Sequence, residues 1–126
     1  MLVNGKGVEV NKEEAAKYFK LGAEKGNIKA IVQYGQMLLD GIGVPVDEEE
    51  AARHFRQAAF KGHPDGMFYF GHVLYSGRGV SANKRKAIQY YINAANSGST
   101  LAMIEYGNIL ENEKNGAKKE EAKRYY

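Results

Sequence analysis

The chain has 126 residues, of which 44% are hydrophobic, and its 18 basic and 15 acidic residues leave a formal net charge of +3. This composition excludes a disordered chain and suits one compact domain or a short stack of repeated units. The lack of cysteine excludes disulfides and thiolate metal sites. No stretch is long and apolar enough to span a membrane, so we expect a cytoplasmic protein without membrane insertion.

Three glycine-rich segments divide the chain into units of equal length. Each reads Gly-x-Gly-Val, and they begin at Gly5, Gly41 and Gly77, each 36 residues after the one before. Phosphate-binding glycine loops follow a strand, and no strand pattern precedes these segments, so they indicate turns between helices. The basic run 84–86 stands where the acidic run 48–50 stands one unit earlier. The slight basic excess therefore does not cluster, and no nucleic-acid partner is expected.

The first unit, residues 1–29, is a partial repeat that predicts one helix. Asn11 followed by Glu14 has the form of a capping box, which predicts that this helix begins after the glycine turn. Gly26 stands where a left-handed C-terminal cap is expected, as Gly62 and Gly98 do in the next units.

The second unit, residues 30–65, predicts two helices. Helix A covers about Ala30–Asp40 after an N-cap at Asn27, and helix B covers about Asp47–Lys61. Asp47 and Glu50 have the form of a capping box, and apolar residues recur on one helical face.

The third unit, residues 66–101, predicts a second pair at about Pro64–Ser76 and Asn83–Ser97, with N-caps at His63 and, for the helix that follows, Ser99. Pro64 suits a first helical turn because its missing N–H has no partner there.

A glycine interrupts every helix A, at Gly35, Gly71 and Gly107. Each costs about 1 kcal/mol of helix stability relative to alanine. We therefore expect a close crossing of helix B at these glycines, through the alanine- and glycine-rich face of helix B.

The last unit, residues 102–126, is partial and loses the double glycine and one residue, which predicts a remodelled final turn. The chain thus holds about 3.5 repeats in one array, 1–126, and both ends fall inside a helix of the repeat. We expect a piece of a longer array, truncated at both ends, that is marginally stable or self-associates through its uncapped ends.

The 36-residue pattern resembles the Sel-one-like repeat (SLR) family, which is related to tetratricopeptide repeats. The residues that carry the resemblance lie mainly in 30–62 and 66–98: an alanine, a Leu/Tyr/Phe-Gly pair and Gly-x-Gly-Val, then an N-cap, a paired aromatic, Ala-Ala and a closing glycine. The resemblance implies an all-α fold, an α/α solenoid of helix-turn-helix repeats in a right-handed superhelix. It also implies a scaffold or adaptor that binds a protein or peptide on its concave surface.

The sequence indicates no enzyme. We find no nucleophile and base pair, no carboxylate pair and no metal cluster, so catalytic, cofactor-binding and metal residues are all predicted to be absent. His54 is interpreted as a packing residue and His63 as a cap. Two alternatives stay open: a non-catalytic segment of a larger enzyme, such as a kinase, or a relative of secreted β-lactam-binding repeat proteins, which the lack of cysteine argues against.

The resemblance to tetratricopeptide repeats also implies where a partner would bind. Two columns of helix A are expected to face the concave side, one apolar and one polar, because apolar anchors and backbone-binding amides together suit a peptide. Phe68, His72 and Tyr75 would form the centre, although Phe68 could instead fill space left by Gly66. The predicted groove residues are Val32, Gln36, Leu39, Phe68, His72, Tyr75, Ile104 and Asn108.

Overall fold

The computed structural model describes the backbone of residues 5–124 and the side chains of residues 11–114. That part of the chain holds six helices and no strand, and each helix packs mainly on its neighbours in sequence. The predicted all-α solenoid is confirmed. The helices are α1 (Gly5–Glu24), α2 (Ile28–Asp40), α3 (Glu48–Phe60), α4 (Pro64–Ser76), α5 (Lys84–Asn96) and α6 (Thr100–Arg124).

Side-chain caps set where the helices begin. Asn27, His63 and Ser99 each accept a hydrogen bond from the backbone N–H three residues on, at 2.9, 3.1 and 3.2 Å. Asp47 and Asn83 do the same before α3 and α5, at 3.1 and 3.0 Å. These bonds satisfy N–H groups that the helices cannot pair internally, and they confirm the predicted caps.

The glycines within helix A mark close crossings, as predicted, but the partner is an aromatic ring. A methyl group on Gly35 would lie 2.7 Å from Cε1 of Phe55, and one on Gly71 would lie 3.0 Å from the ring of Tyr91. Phe55 and Tyr91 are fully buried. The predicted contact with small residues of helix B occurs only at Gly71, where the backbone oxygen of Ala87 would lie 3.1 Å from the added methyl group, and at both glycines an aromatic ring is the nearest neighbour.

The small residues of helix B instead form the contact between units. A methyl group on Gly66 would lie 2.6 Å from Cβ of Ala58, and one on Gly22 would lie 2.8 Å from Cβ of Ala30. The pairs α2–α3 and α4–α5 therefore each have an aromatic contact between their two helices, and small residues meet where α1 contacts α2 and where α3 contacts α4. Together they join the helices into one continuous core.

The start of α1 corrects the sequence prediction. The helix is continuous from Gly5, so Asn11 lies within it and the first Gly-x-Gly does not form a turn. In the later units, this turn lies against the preceding helix B, which is α1 or α3. Gly43 touches the backbone of Lys12 in α1, and Gly79 touches the backbone of Glu48 in α3. At the first Gly-x-Gly the chain is helical instead.

The last unit also differs from the two before it. α6 runs from Thr100 to Arg124 without a turn, and a methyl group on Gly107 would meet nothing within 4 Å. Met103, Ile104 and Leu110 are 48%, 64% and 47% exposed on this helix. Self-association through an uncovered end stays a prediction, and these side chains are where it would occur.

Gly35 lies against an aromatic ring and Gly107 does not, so the two glycines allow a matched test of the helix crossing. We expect Gly35→Ala to lower the free energy of unfolding by about 1–3 kcal/mol, because the methyl group overlaps Phe55 in a filled core. Gly107→Ala should raise it by about 1 kcal/mol through helix propensity alone. Urea unfolding followed by circular dichroism measures both, and equal stabilisation by the two substitutions would show that the ring of Phe55 does not set the helix spacing.

Candidate functional site

One side of the A helices α2, α4 and α6 is left open by the packing. Gln36, His72 and Asn108 occupy equivalent positions in three successive units; the first two are half-buried and the third is exposed. In α2 the core side carries Tyr34 and Leu38, on the other side of the helix from Gln36. We call the side of α2, α4 and α6 that carries Gln36, His72 and Asn108 the groove face.

A cavity of about 240 Å³ lies on the groove face between α2 and α4. It brings together an ammonium, amides, an imidazole, a carboxylate and a phenol, so it offers both hydrogen-bond donors and acceptors around an aromatic ring. Its wall is formed by Lys29, Val32, Gln33 and Gln36 from α2 and by His63, Asp65 and Tyr69 at and within α4.

Hydrogen bonds hold the α4 side of this cavity in place. Nδ1 of His63 accepts from the N–H of Gly66 at 3.1 Å, so in the neutral ring Nε2 carries the proton and is a donor. The hydroxyl of Ser99, which is 2% exposed, donates to Oδ1 of Asp65 at 3.0 Å. Because Ser99 also caps α6, this bond ties the start of α6 to the edge of the cavity.

The structure corrects two of the predicted groove residues. Val32 is 4% exposed and packs with Ile31 and Ala58, while Leu39 is 5% exposed in the main core. Both side chains are therefore buried instead of standing free on the groove face. Val32 still contributes to the wall of the cavity.

The predicted aromatic residues of α4 are shared between the surface and the core. Phe68 is half-buried, with its ring centroid 5.0 Å from that of Tyr69 and 5.7 Å from that of Tyr91. Tyr75 is also half-buried, 6.3 Å from Tyr91. The space beside Gly66 is taken by Ala58, so Phe68 does not fill it.

Sequence reasoning did not assign five residues of the cavity to the groove: Lys29, Gln33, Asp65 and Tyr69 were not considered, and His63 was predicted only as a cap. The predicted centre was Phe68, His72 and Tyr75, whereas the cavity is lined by Gln36 and does not include these three residues. The signal was present in α2 as a polar stripe at helical spacing: Lys29, Gln33, Gln36 and Asp40.

The other predicted features have structural roles. His63 caps α4, and His54 packs edge-on against Tyr34 with ring centroids 5.4 Å apart, as predicted. Gly41 and Gly77 have φ of 70° and 75° and end their helices in turns. Among residues whose side chains are described, no group of three or more histidine or acidic residues could hold a metal ion. Over the same described helices, none is both long and apolar enough to cross a membrane.

The family model of the Sel1 repeat matches residues 1–27, 28–63 and 64–99. No curated protein matches the chain. Among solved structures, c5321 of uropathogenic Escherichia coli, a protective antigen displaying an SLR fold, matches with a TM-score of 0.71 and 31% identity over 77% of this chain. The match covers 21% of the E. coli protein, so this chain corresponds to a small part of that molecule.

Two smaller proteins match over most of their length. A Sel1 repeat protein from Oxalobacter formigenes gives a TM-score of 0.69 at 28% identity, over 76% of this chain and 72% of its own. Cysteine-rich protein B (hcpB) of Helicobacter pylori gives 0.66 at 25% identity, over 73% of this chain and 69% of its own.

We expect the stability of the fold to depend on alkaline pH through two tyrosines, Tyr69 and Tyr91. Burial, followed by the charge of Asp65, raises the pKa of Tyr69, and burial, followed by Glu105, raises the pKa of Tyr91. An unfolded tyrosine loses its proton near pH 10. The folded state therefore holds these protons longer than the unfolded state does, and their stabilising effect is complete below about pH 10 and is lost as the pH rises further.

We accordingly expect the urea midpoint of unfolding to fall as the pH rises above about 10, and to fall less in Tyr91→Phe than in the parent chain. Tyr18→Phe is the matched control because Tyr18 is 68% exposed. The same pH dependence in the parent and in Tyr91→Phe would contradict the assignment of the effect to Tyr91.

Proposed function

Because the chain belongs to the Sel1 repeat family, whose fold is commonly a protein-interaction module, we propose that it is a scaffold or adaptor that binds a peptide segment on the groove face. The observation that carries the proposal is the cavity between α2 and α4, where polar groups from two successive units surround one aromatic ring. Such a surface can be extended by further units, which suits a part of a longer array.

The groups on this face match the needs of an extended peptide. The amides of Gln36 and Asn108 donate and accept, and they recur once per unit together with the imidazole of His72. They would satisfy backbone N–H and C=O groups that a bound peptide loses to solvent. The half-buried rings of Tyr69 and Phe68 would receive its apolar side chains, the usual source of most binding energy.

The first test uses peptides selected from a phage-displayed random library on the purified chain. We expect the double substitution Gln36→Ala, His72→Ala to weaken selected peptides by about 1–3 kcal/mol, because it removes hydrogen-bond partners from the centre of the face. Isothermal titration calorimetry measures the affinities.

Gln89→Ala is the matched control, since Gln89 is exposed on α5, away from the groove face. The proposal fails if selected peptides bind the double variant as tightly as the parent chain.

A second prediction separates packing from binding at Phe68. Because the ring is half-buried, Phe68→Ala should lower the free energy of unfolding by about 1–3 kcal/mol, less than the roughly 3–5 kcal/mol of a fully buried phenylalanine. It should also weaken the selected peptides by about 1–3 kcal/mol.

Phe60→Ala is the comparison, because Phe60 is 67% exposed and its loss should change stability by less than about 0.5 kcal/mol. A larger stability loss in Phe68→Ala together with unaltered peptide affinity would make Phe68 a core residue only.

A further inference from the structure

A second and larger cavity lies on the other side of α2. It has a volume of about 480 Å³ and is formed by the end of α1, by Tyr34 and Leu38 of α2, and by α3 with its N-cap. Tyr34 and Gln36 are about 200° apart around the helix, at 100° per residue. The cavity, which we call the α1–α3 pocket, therefore opens away from the groove face.

Among the charged groups that line the α1–α3 pocket, acidic groups outnumber basic ones. Glu24, Asp47 and Glu50 contribute carboxylates, against one ammonium from Lys20. Glu50 also pairs with Arg53 at 3.0 Å, but those side chains are 37% and 72% exposed, and ion pairs in that setting are weak. Asp47 uses Oδ1 to cap α3, so its other oxygen stays available.

His54 adds a neutral acceptor. Its Nδ1 lies 2.8 Å from the backbone oxygen of Glu50, an atom that can only accept, so Nδ1 carries the proton and donates. In the neutral ring, Nε2 is then a hydrogen-bond acceptor.

A second feature of the pocket is the hydroxyl group of Tyr34, which is independent of the charged side chains. The residue is 8% exposed and lines the pocket, and its hydroxyl has no hydrogen-bond partner among the described side chains and backbone. No polar side-chain atom of that part of the chain is both sealed from solvent and unpaired, so this hydroxyl is open to the pocket. A phenol buried by more than nine-tenths thus presents an unused polar group to the space between the carboxylates.

The next unit shows that helix packing does not require the phenol, imidazole and carboxylates of the α1–α3 pocket. Its rings make the same edge-on contact, Phe70 against Tyr90 at 5.0 Å, without the hydroxyl of Tyr34 or the imidazole of His54. The carboxylates have no counterpart there either: one unit on, Glu24, Asp47 and Glu50 are replaced by Phe60, Asn83 and Lys86.

From these contacts we infer that the α1–α3 pocket binds the guanidinium group of an arginine side chain from a partner protein. A guanidinium carries five N–H donors in one plane, and the pocket offers carboxylate, imidazole and phenol acceptors beside two aromatic rings. Lysine fits less well, because an ammonium has three donors instead of five and no planar group to stack on a ring.

The proposal for the α1–α3 pocket does not depend on the proposal for the groove face. A peptide could occupy the groove between α2 and α4 while the α1–α3 pocket holds an arginine, because the two openings lie on different sides of α2. Failure of one proposal therefore leaves the other unaffected.

The test titrates the acetylated and amidated peptide Gly-Gly-Arg-Gly-Gly into the ¹⁵N-labelled chain, with backbone amide shifts as the readout. We expect shifts at His54 and Gln57 that weaken as salt is added, and no shifts with the citrulline peptide, which has the same shape without the charge. A lysine peptide should bind at least about fivefold more weakly.

Two protein variants replace a pocket residue with the residue type at the equivalent position of the next unit. Asp47→Asn keeps the helix cap, since Asn83 caps α5 in the same way, and Tyr34→Phe copies Phe70. Each should weaken the arginine peptide about threefold or more. Glu49→Gln is the control, because it removes an exposed carboxylate of the same helix outside the pocket.

Three results would overturn the inference: no binding of the arginine peptide, equal binding of the citrulline peptide, or equal loss of affinity in Glu49→Gln and Asp47→Asn. Equal affinity for free argininamide would show that a small guanidinium compound suffices, and would overturn a protein side chain as the specific ligand. Selective binding of the arginine peptide, lost in both pocket variants, would support it.

Discussion

The crossing of helix A over an aromatic ring of helix B is the contact on which this fold depends. Gly35 and Gly71 accept a loss of helix propensity so that Phe55 and Tyr91 can lie against the backbone. The rings are fully buried, and they form the centre of the hydrophobic core. Once the two helices of a pair are fixed at this distance, the small residues on the far side of helix B can meet the next unit.

The connections between units explain why the terminal units differ from the middle ones. Each glycine turn lies on the preceding helix B, and the second one is held further by Arg78, which donates to Glu48 at 2.9 Å and to the carbonyl of Leu39 at 3.0 Å. A unit therefore takes its full shape only when its neighbour is present, as expected for a solenoid stabilised by nearest-neighbour contacts. α1 and α6 continue as helix where the middle units turn, and in α6 the Gly-x-Gly-Val of the turn is replaced by other residues.

Most of the fold followed from the sequence because its signals are local and repeated. Caps such as Asn27 and Asp47, and glycines such as Gly41, act through their own backbone, so their spacing alone located four helix ends within two residues. The continuous helix through Asn11 could not be predicted in the same way. Whether that turn forms depends on support from another helix, and a capping pattern does not contain that information.

The candidate site was harder to predict for a geometric reason. A column of the repeat identifies residues in equivalent places, but it does not say which way the helix is rotated. An error of about 40° around the axis, less than half of the 100° between successive residues, separates buried Val32 from half-buried Gln36. Polarity was the better guide, since the stripe of polar residues in α2 marks the open side directly.

Function in a repeat of this kind is best sought where the units stop resembling one another. The packing positions hold glycine, alanine and aromatic residues in every complete unit, because the helix crossings tolerate little else. The sides of α2 are free of that constraint, and there the units diverge: amides, an imidazole and a phenol on the groove face, and carboxylates in the α1–α3 pocket where the next unit has Phe60, Asn83 and Lys86. The next unit makes the same ring contact with Phe70 and Tyr90 in place of Tyr34 and His54. We therefore attribute the differences between the units to contacts outside the chain.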